Sequence, residues 1–143
     1  MIPFAARHVS TEERELFNKI FKVINELPEI DLGVDEYERK IELSCHILAR
    51  ATAKVFSQKY EDGYYFPNHP HSWIRTQDGH LIDVYPVATI GGPILIVEGI
   101  NSPIRWQYEK TSANDISQGN FSRSSFRRSV RRVEEEIKKI VQL

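Results

Sequence analysis

One short stretch of this chain is unusually dense in titratable side chains. Residues 69–87, HPHSWIRTQDGHLIDVYPV, contain His69, His71, His80 and Asp83 within a pattern typical of two paired strands. Imidazole and carboxylate groups at such spacing can move protons, orient one another or bind a metal ion. The question is which of these the rest of the sequence supports.

Cys45 is the single cysteine, which excludes an internal disulfide and any structural zinc site that requires paired cysteines. A cysteine acts as a nucleophile through its thiolate, which a helix N-terminus or a nearby imidazole favours. If Ser44 caps a helix, Cys45 lies in its first turn and meets the first condition. A continuous helix over residues 36–58 would instead place Cys45 on an apolar face, as a small buried hydrophobic residue.

The hairpin can supply the second condition. His71 and Trp73 share one face of a predicted strand, and Asp83 on the next strand can reach the far side of the His71 ring. A carboxylate there would hold the imidazole tautomer and stabilise the imidazolium that forms when Cys45 gives up its proton. We therefore predict a catalytic trio of Cys45, His71 and Asp83, with a purely structural His71 and Asp83 pair as the alternative.

The order of these residues resembles the transglutaminase-like branch of the papain-like fold. The matching features are Cys45 near a helix start, His71-Ser72-Trp73 on one strand and Asp83 on the next, within about residues 40–90. That branch includes transglutaminases, arylamine N-acetyltransferases and related proteases and deamidases. The resemblance implies acyl transfer or hydrolysis on a peptide or protein amide, through a thioester and without a cofactor.

Such chemistry also needs hydrogen-bond donors for the oxyanion that develops on the carbonyl. Backbone N–H groups, including that of Cys45, are candidates, together with the side chains of Trp73 and Gln77. His69 and Tyr65 are expected to line the substrate groove, and Trp73 to form part of the core.

The histidines also permit a metal site. His69, His71 and His80 with Asp83 could hold zinc or iron, in a spacing that resembles cupin ligands. Cupins are all-β barrels, however, and the helices predicted here argue against that fold. Pro70, between two of the histidines, also interrupts regular strand alternation. The remaining two histidines, His8 and His46, are interpreted as surface or core side chains.

The elements that would position these residues predict an α+β domain. Ser10 or Thr11 can cap a first amphipathic helix, which Pro28 ends. Asp35 and Glu38 have the spacing of a capping pair for a second helix, in competition with a later start at Ser44. Residues 123–142 predict a C-terminal amphipathic helix, whose apolar stripe packs on the core or on a partner helix.

The middle of the chain predicts an antiparallel sheet of four or five strands, on which the helices pack. The candidate strands are the runs GYYFP, HSWIRT, HLIDVYPV, PILIVEG and PIRWQYE. Asp78-Gly79 predicts a hairpin closed by a tight two-residue turn. The Ser-, Asn- and Gly-rich run TSANDISQGNFSRSS predicts a loop before the last helix.

Length and composition predict a single domain over residues 1–143. Within it, the resemblance implies a transglutaminase-like core at about 35–110. A net charge of −1 gives no general reason to expect a nucleic acid or an anionic membrane as partner. No apolar run reaches the length of a membrane span or a signal peptide, so we expect a cytoplasmic protein without membrane contact.

The alternative to an enzyme is a non-catalytic interaction, inhibitor or immunity module on a degenerate transglutaminase-like scaffold. Its contact surface would be the C-terminal helix, through a partner or self-association, or the segment YFPNHPH. This hypothesis predicts a buried or misoriented Cys45, an absent groove and a thiol that resists alkylation.

Overall fold

A computed structural model describes residues 9–85, 92–99, 103–111 and 122–142. The elements in these ranges are α1 (Thr11–Glu26), α2 (Cys45–Val55), β1 (Lys59–Tyr65), β2 (His69–Arg75), β3 (Leu81–Asp83), β4 (Ile94–Ile96), α3 (Pro103–Trp106), β5 (Tyr108–Lys110) and α4 (Arg123–Val141). The predicted α+β class, with helices and an antiparallel sheet of five strands, is confirmed. Within these ranges no helix is both long and apolar enough to cross a membrane.

The first helix begins and ends where local side chains predict. Ser10 is its N-cap, and its Oγ accepts a hydrogen bond from the backbone N–H of Glu13 at 3.1 Å. The helix ends at Glu26, two residues before Pro28, because a proline disfavours helical backbone in the residue that precedes it.

The second helix begins at Cys45 with Ser44 as its N-cap, so the start predicted at Asp35 and the continuous helix over 36–58 are both wrong. The carboxylate of Asp35 accepts from the backbone N–H groups of Tyr37 and Arg39 and closes a local turn instead. Glu38 in this turn has a φ of 62°, which a right-handed helix does not allow.

The sheet has the strand order β4-β3-β2-β1-β5, with antiparallel neighbours throughout. Three of the predicted strands are shorter than their sequence runs, and PILIVEG contributes only Ile94–Ile96, as β4. In PIRWQYE the first four residues form α3, and only Tyr108 and Glu109 enter β5. In HLIDVYPV the strand covers Leu81–Asp83, and Pro86 and Val87 lie outside the described residues, as do residues 112–121 of the predicted loop.

The predicted hairpin joins β2 and β3, but the two-residue turn is wrong. Thr76 N–H donates to the carbonyl of His80 at 2.8 Å, and Gly79 N–H donates to the carbonyl of Thr76 at 2.9 Å. The loop therefore has three residues, and Gly79, at a φ of 90°, is its left-handed position. A turn followed by a left-handed glycine is the usual form of a three-residue hairpin loop.

The two faces of the sheet bury different clusters. One face, with Ile74 and Ile82, packs on the helices, and the other buries an aromatic cluster that includes Tyr65, Trp73 and Tyr108. The apolar stripe of α4 is used in the first cluster, so this helix packs on the core of its own chain.

A substitution at Gly63 tests how closely β5 approaches β1. A Cβ at Gly63 would lie 2.1 Å from the carbonyl oxygen of Glu109 and 2.5 Å from Cη2 of Trp73. We expect Gly63→Ala to lower the free energy of unfolding by about 1–3 kcal/mol, because backbone and a buried ring must both move. Urea denaturation checks this against Lys59→Ala, an exposed change in the same strand. Equal midpoints for the two variants would contradict it.

Candidate active site

Cys45 is the first residue of α2 and is half-buried. The helix starts here because the Oγ of Ser44 accepts the backbone N–H of Ile47 at 3.3 Å. The other N–H groups of the first turn have no acceptor within the helix, and the helix dipole places partial positive charge among them. The position of Cys45 therefore favours a thiolate.

His71 and Asp83 form a buried pair on β2 and β3. The Nε2 of His71 lies 2.7 Å from Oδ2 of Asp83, and the two side chains are 2% and 0% exposed. A carboxylate accepts hydrogen bonds, so Nε2 carries a proton and Nδ1 is left for Cys45, which lines the same cavity as His71. The structure thus brings Cys45, His71 and Asp83 together, in the order in which the mechanism would use them.

Two further donors satisfy the buried carboxylate of Asp83. The hydroxyl of Tyr108 donates to Oδ2 at 2.6 Å, and the backbone N–H of Tyr85 donates to Oδ1 at 3.0 Å. Burial raises the pKa of Tyr108, and the charge of Asp83 raises it further, so the phenol remains a donor. The guanidinium of Arg105 holds the backbone of this tyrosine, through its carbonyl, at 2.9 Å.

The pKa values of Cys45 and His71 are shifted in opposite directions. Burial alone would raise the pKa of Cys45, but hydrogen bonds with His46 and His71 and the charge of both rings lower it to about 6. Burial alone would lower the pKa of His71, but hydrogen bonds and charge from Asp83 and Cys45 raise it to about 9. Between these two values the stable form is a thiolate beside an imidazolium.

Aromatic rings enclose the His71 imidazole. The ring centroids of Tyr65, Trp73 and Tyr108 lie 6.4, 6.2 and 6.1 Å from that of His71. These rings exclude water from one side of the imidazole, which strengthens its interaction with the Asp83 carboxylate.

The thiol lines an open cavity of about 440 Å³. Its walls are Leu43, Ser44, Cys45, His69, Pro70, His71 and Tyr85. A substrate carbonyl can therefore reach Cys45 from solvent, on the side of His71 away from Asp83.

A second group of polar side chains lies beside the start of α2 and includes His46, which is half-buried. The Nδ1 of His46 lies 2.6 Å from Oγ of Ser72, which donates to Oδ1 of Asp62 at 2.5 Å. Arg50 pairs with both oxygens of Asp62, at 2.9 and 2.6 Å. Asp62 stands directly opposite Ser72 in the β1–β2 register. Only this strand register brings the group together. The sequence does not show the register, so sequence reasoning could not identify the group.

The other predicted site residues are divided between this cavity and other places. His69 lines the cavity, and Tyr65 contacts the edge of the His71 ring while its hydroxyl donates to Gln107. The indole N–H of Trp73 donates to Glu61 at 3.0 Å, so it does not face Cys45. Gln77 lies in the β2–β3 loop and lines a different cavity, beside Ser10 and Glu13. These last two side chains are therefore not placed as oxyanion donors.

The structure does not gather the histidines of the metal hypothesis. His80 is buried, and its Nδ1 accepts the backbone N–H of Glu98 at 3.0 Å. His69 lines the cavity. The Nε2 of His71 is paired with Asp83, and its ring lies beside Cys45. Among the described residues, no group of three or more His, Cys, Asp or Glu side chains is arranged to hold a metal ion. His8 lies outside the described residues.

Comparison of the chain with protein-family models, with curated proteins and with solved structures finds no match. The site itself places a thiol at a helix start beside a buried imidazole and carboxylate.

Proposed function

We propose that this chain is a cysteine-dependent enzyme that transfers or hydrolyses an acyl group bound as an amide, on a transglutaminase-like core. One observation carries the proposal: Cys45 and His71 line the same cavity, and His71 is paired on its other side with the buried carboxylate of Asp83. The order of the elements also supports it, since the helix that begins at Cys45 precedes antiparallel strands that carry His71 and Asp83.

In the first half of the reaction the Cys45 thiolate attacks the carbonyl carbon of the substrate. The electron pair of the C=O bond moves onto oxygen, and collapse of this intermediate breaks the carbon–nitrogen bond. His71, as imidazolium, gives its Nδ1 proton to the departing nitrogen, so an amine leaves and a thioester remains on Cys45. Asp83 holds the ring and stabilises its charge before the transfer.

In the second half, water or a primary amine attacks the thioester carbon. Neutral His71 takes the proton from this nucleophile at Nδ1, the carbon–sulfur bond breaks, and the Cys45 thiolate returns. Water yields a carboxylic acid, as in a protease or deamidase, and an amine yields a new amide, as in a transglutaminase or N-acyltransferase.

The oxyanion needs donors near Cys45, and the backbone supplies them. The N–H groups of Cys45 and His46 belong to the first turn of α2, where no earlier helical carbonyl can accept them. Backbone donors of this kind stabilise charge in the transition state by about 3–4 kcal/mol each.

The interaction-module alternative fits the site less well. It predicts a buried or misoriented thiol and no groove, whereas Cys45 is half-buried and shares a cavity wall with His71. For this reason we favour the enzyme.

The direct test is to trap the thioester. The protein is mixed with p-nitrophenyl acetate, whose leaving group needs no proton, and its intact mass is followed by mass spectrometry. We expect a rapid single acetylation on Cys45, which Cys45→Ala abolishes. Addition of a primary amine then separates the two acceptors, because an acyltransferase forms the amide faster than the acid. A wild-type protein acetylated no faster than Cys45→Ala would overturn the proposed function.

A further inference from the structure

We propose that the cavity between α2 and α4 binds a compact anion that carries a chain of phosphate groups. This site goes beyond the proposed function and is separate from the Cys45 cavity, because no described residue lines both. The two sites can therefore be tested independently of each other.

The walls of this second cavity are strongly basic. Its volume is about 580 Å³, which is in the usual range of small-molecule sites. Five of the side chains that line it are cationic, two from α2 and three from α4: Arg50, Lys54, Arg123, Arg127 and Arg131. Among the described residues of the wall, Glu134 is the single acid. An anion is therefore the ligand that these walls favour.

The three α4 arginines of the cavity have no partner among the residues that the structure describes. They are exposed, at positions 123, 127 and 131. The other two arginines of the helix do have partners: Arg128 donates to the carbonyl of Val34 at 3.0 Å, and Arg132 pairs with Glu136 at 2.5 Å. The arginines that keep their hydrogen-bond donors available are thus those that line the cavity.

This placement is unfavourable for α4 itself. The three arginines recur every four residues, so they lie on one face, about 6 Å apart along the helix axis. Like charges at this spacing destabilise a helix. Arg123 also lies at the positive end of the helix dipole, and the first turn has no acidic residue to compensate. An anion in the cavity would relieve both repulsions, so the charge pattern suits binding better than helix stability.

The cations on the α2 side are largely compensated by the protein. Arg50 pairs with both carboxylate oxygens of Asp62, and its Cζ lies 4.2 Å from the ring centroid of Tyr60. Lys54 lies 3.8 Å from the buried carboxylate of Glu134, with its own side chain 72% exposed. The excess positive charge of the cavity is therefore that of the α4 arginines, and it requires a ligand of comparable negative charge.

A chain of two or three phosphate groups meets this requirement in a small volume. Each guanidinium presents a planar fork of N–H donors that matches phosphate oxygens. An acidic peptide spreads its charges, one per side chain, over about 3.3–3.6 Å of extended chain each. A long nucleic acid needs a continuous basic track, whereas α4 continues with Glu134, Glu135 and Glu136, and the net charge of the chain is −1. The cavity therefore favours a compact phosphate ligand over either polymer.

The direct test is isothermal titration calorimetry of the full chain with sodium triphosphate, at about 0.1 M salt, where charges within about 10 Å of each other still interact. Arg127→Gln removes the central arginine of the cavity. Arg128→Gln is its matched control, because it removes the same charge from the next position of the same helix, outside the cavity. Glutamine and arginine have similar helix propensities, so both variants keep the helix.

We expect triphosphate to bind the wild type, and to bind Arg127→Gln at least about tenfold more weakly, because hydrogen bonds between charged groups are lost. Arg128→Gln should keep the wild-type affinity. Arg131→Gln should repeat the loss, and it carries the test if circular dichroism shows that Arg127→Gln is unfolded. Without ligand, the thermal midpoint of Arg127→Gln should be no lower than that of Arg128→Gln, because a like-charge repulsion is removed.

Further ligands identify the source of the phosphate chain. ATP that binds more tightly than triphosphate indicates a nucleotide, and ATP that binds no more tightly indicates that the phosphate chain alone is recognised; both results support the site. The site is overturned if triphosphate does not bind the wild type, or if Arg127→Gln and Arg128→Gln lose affinity equally. It is also overturned if an oligoglutamate peptide or an oligothymidylate binds more tightly than triphosphate. Acetylation of Cys45 tests the proposed function separately, whatever these results are.

Discussion

Asp83→Asn is expected to slow the turnover of an acyl anilide at Cys45 by about 10³- to 10⁴-fold, because this reaction needs His71 to transfer protons. Asp83 receives hydrogen bonds from three donors: the His71 ring, the Tyr108 hydroxyl and the Tyr85 backbone N–H. An amide must turn its own NH₂ group toward at least one of them.

Either orientation of the amide is unfavourable. If its nitrogen faces Tyr85, two N–H groups oppose each other in a buried site, which costs about 1–3 kcal/mol. If the amide nitrogen faces His71, the ring must accept a hydrogen bond at Nε2 and carry its own proton on Nδ1. A neutral ring in this tautomer can no longer take a proton at Nδ1 from Cys45 or from the acyl acceptor. The loss of the negative charge of Asp83 also destabilises the His71 imidazolium that accompanies the thiolate.

Release of p-nitroaniline from such an anilide measures this effect directly, and Tyr108→Phe is its control. That variant keeps the carboxylate and removes one of its donors, so we expect a loss of about tenfold at most. Circular dichroism of both variants shows whether the fold is retained. An Asp83→Asn protein with anilide turnover within tenfold of the wild type would contradict the role assigned to Asp83.

The pH dependence should differ between alkylation and amide turnover. Cys45 becomes a thiolate as the pH rises through about 6, and His71 loses its proton as the pH rises through about 9. Alkylation needs only the thiolate, and each pH unit below the pKa of Cys45 lowers the thiolate fraction about tenfold. The alkylation rate should therefore rise about 100-fold from two pH units below that pKa to the plateau above it.

Turnover of an anilide needs the His71 proton as well, because an anilide nitrogen leaves only when it is protonated. Its rate should rise through about 6 and fall above about 9. The single cysteine makes the alkylation assay specific, and Cys45→Ala gives its background. An alkylation midpoint at about 8.5, the value of an unperturbed thiol, would contradict the thiolate–imidazolium pair.

Features that depend on neighbours in the sequence could be predicted. Ser10 and Ser44 start helices because each serine caps a backbone N–H three residues later, a contact that needs no partner from elsewhere in the chain. The hairpin between β2 and β3 follows from Gly79, which supplies the left-handed backbone conformation. These local contacts place Cys45 at a helix start and His71 and Asp83 on adjacent strands.

Features that depend on distant contacts could not be predicted. The choice between a helix start at Asp35 and one at Ser44 was open, because both residues have capping side chains. The phenol that supports Asp83 comes from Tyr108, 25 positions away in a run with no sequence signal for that contact. The His46, Ser72 and Asp62 group depends on a strand register in which Asp62 meets Ser72.

The sequence by itself therefore determined the α+β class, the helix that begins at Cys45 as one of two options, and the three residues proposed for catalysis. Their role in catalysis stays a prediction. Only the tertiary structure decided that Cys45 and His71 line one cavity, and that the hydroxyl of Tyr108 donates to the carboxylate of Asp83. The reason is physical: capping and turns act over a few residues, whereas proton positions and pKa values depend on which distant groups the packed sheet brings within hydrogen-bonding distance.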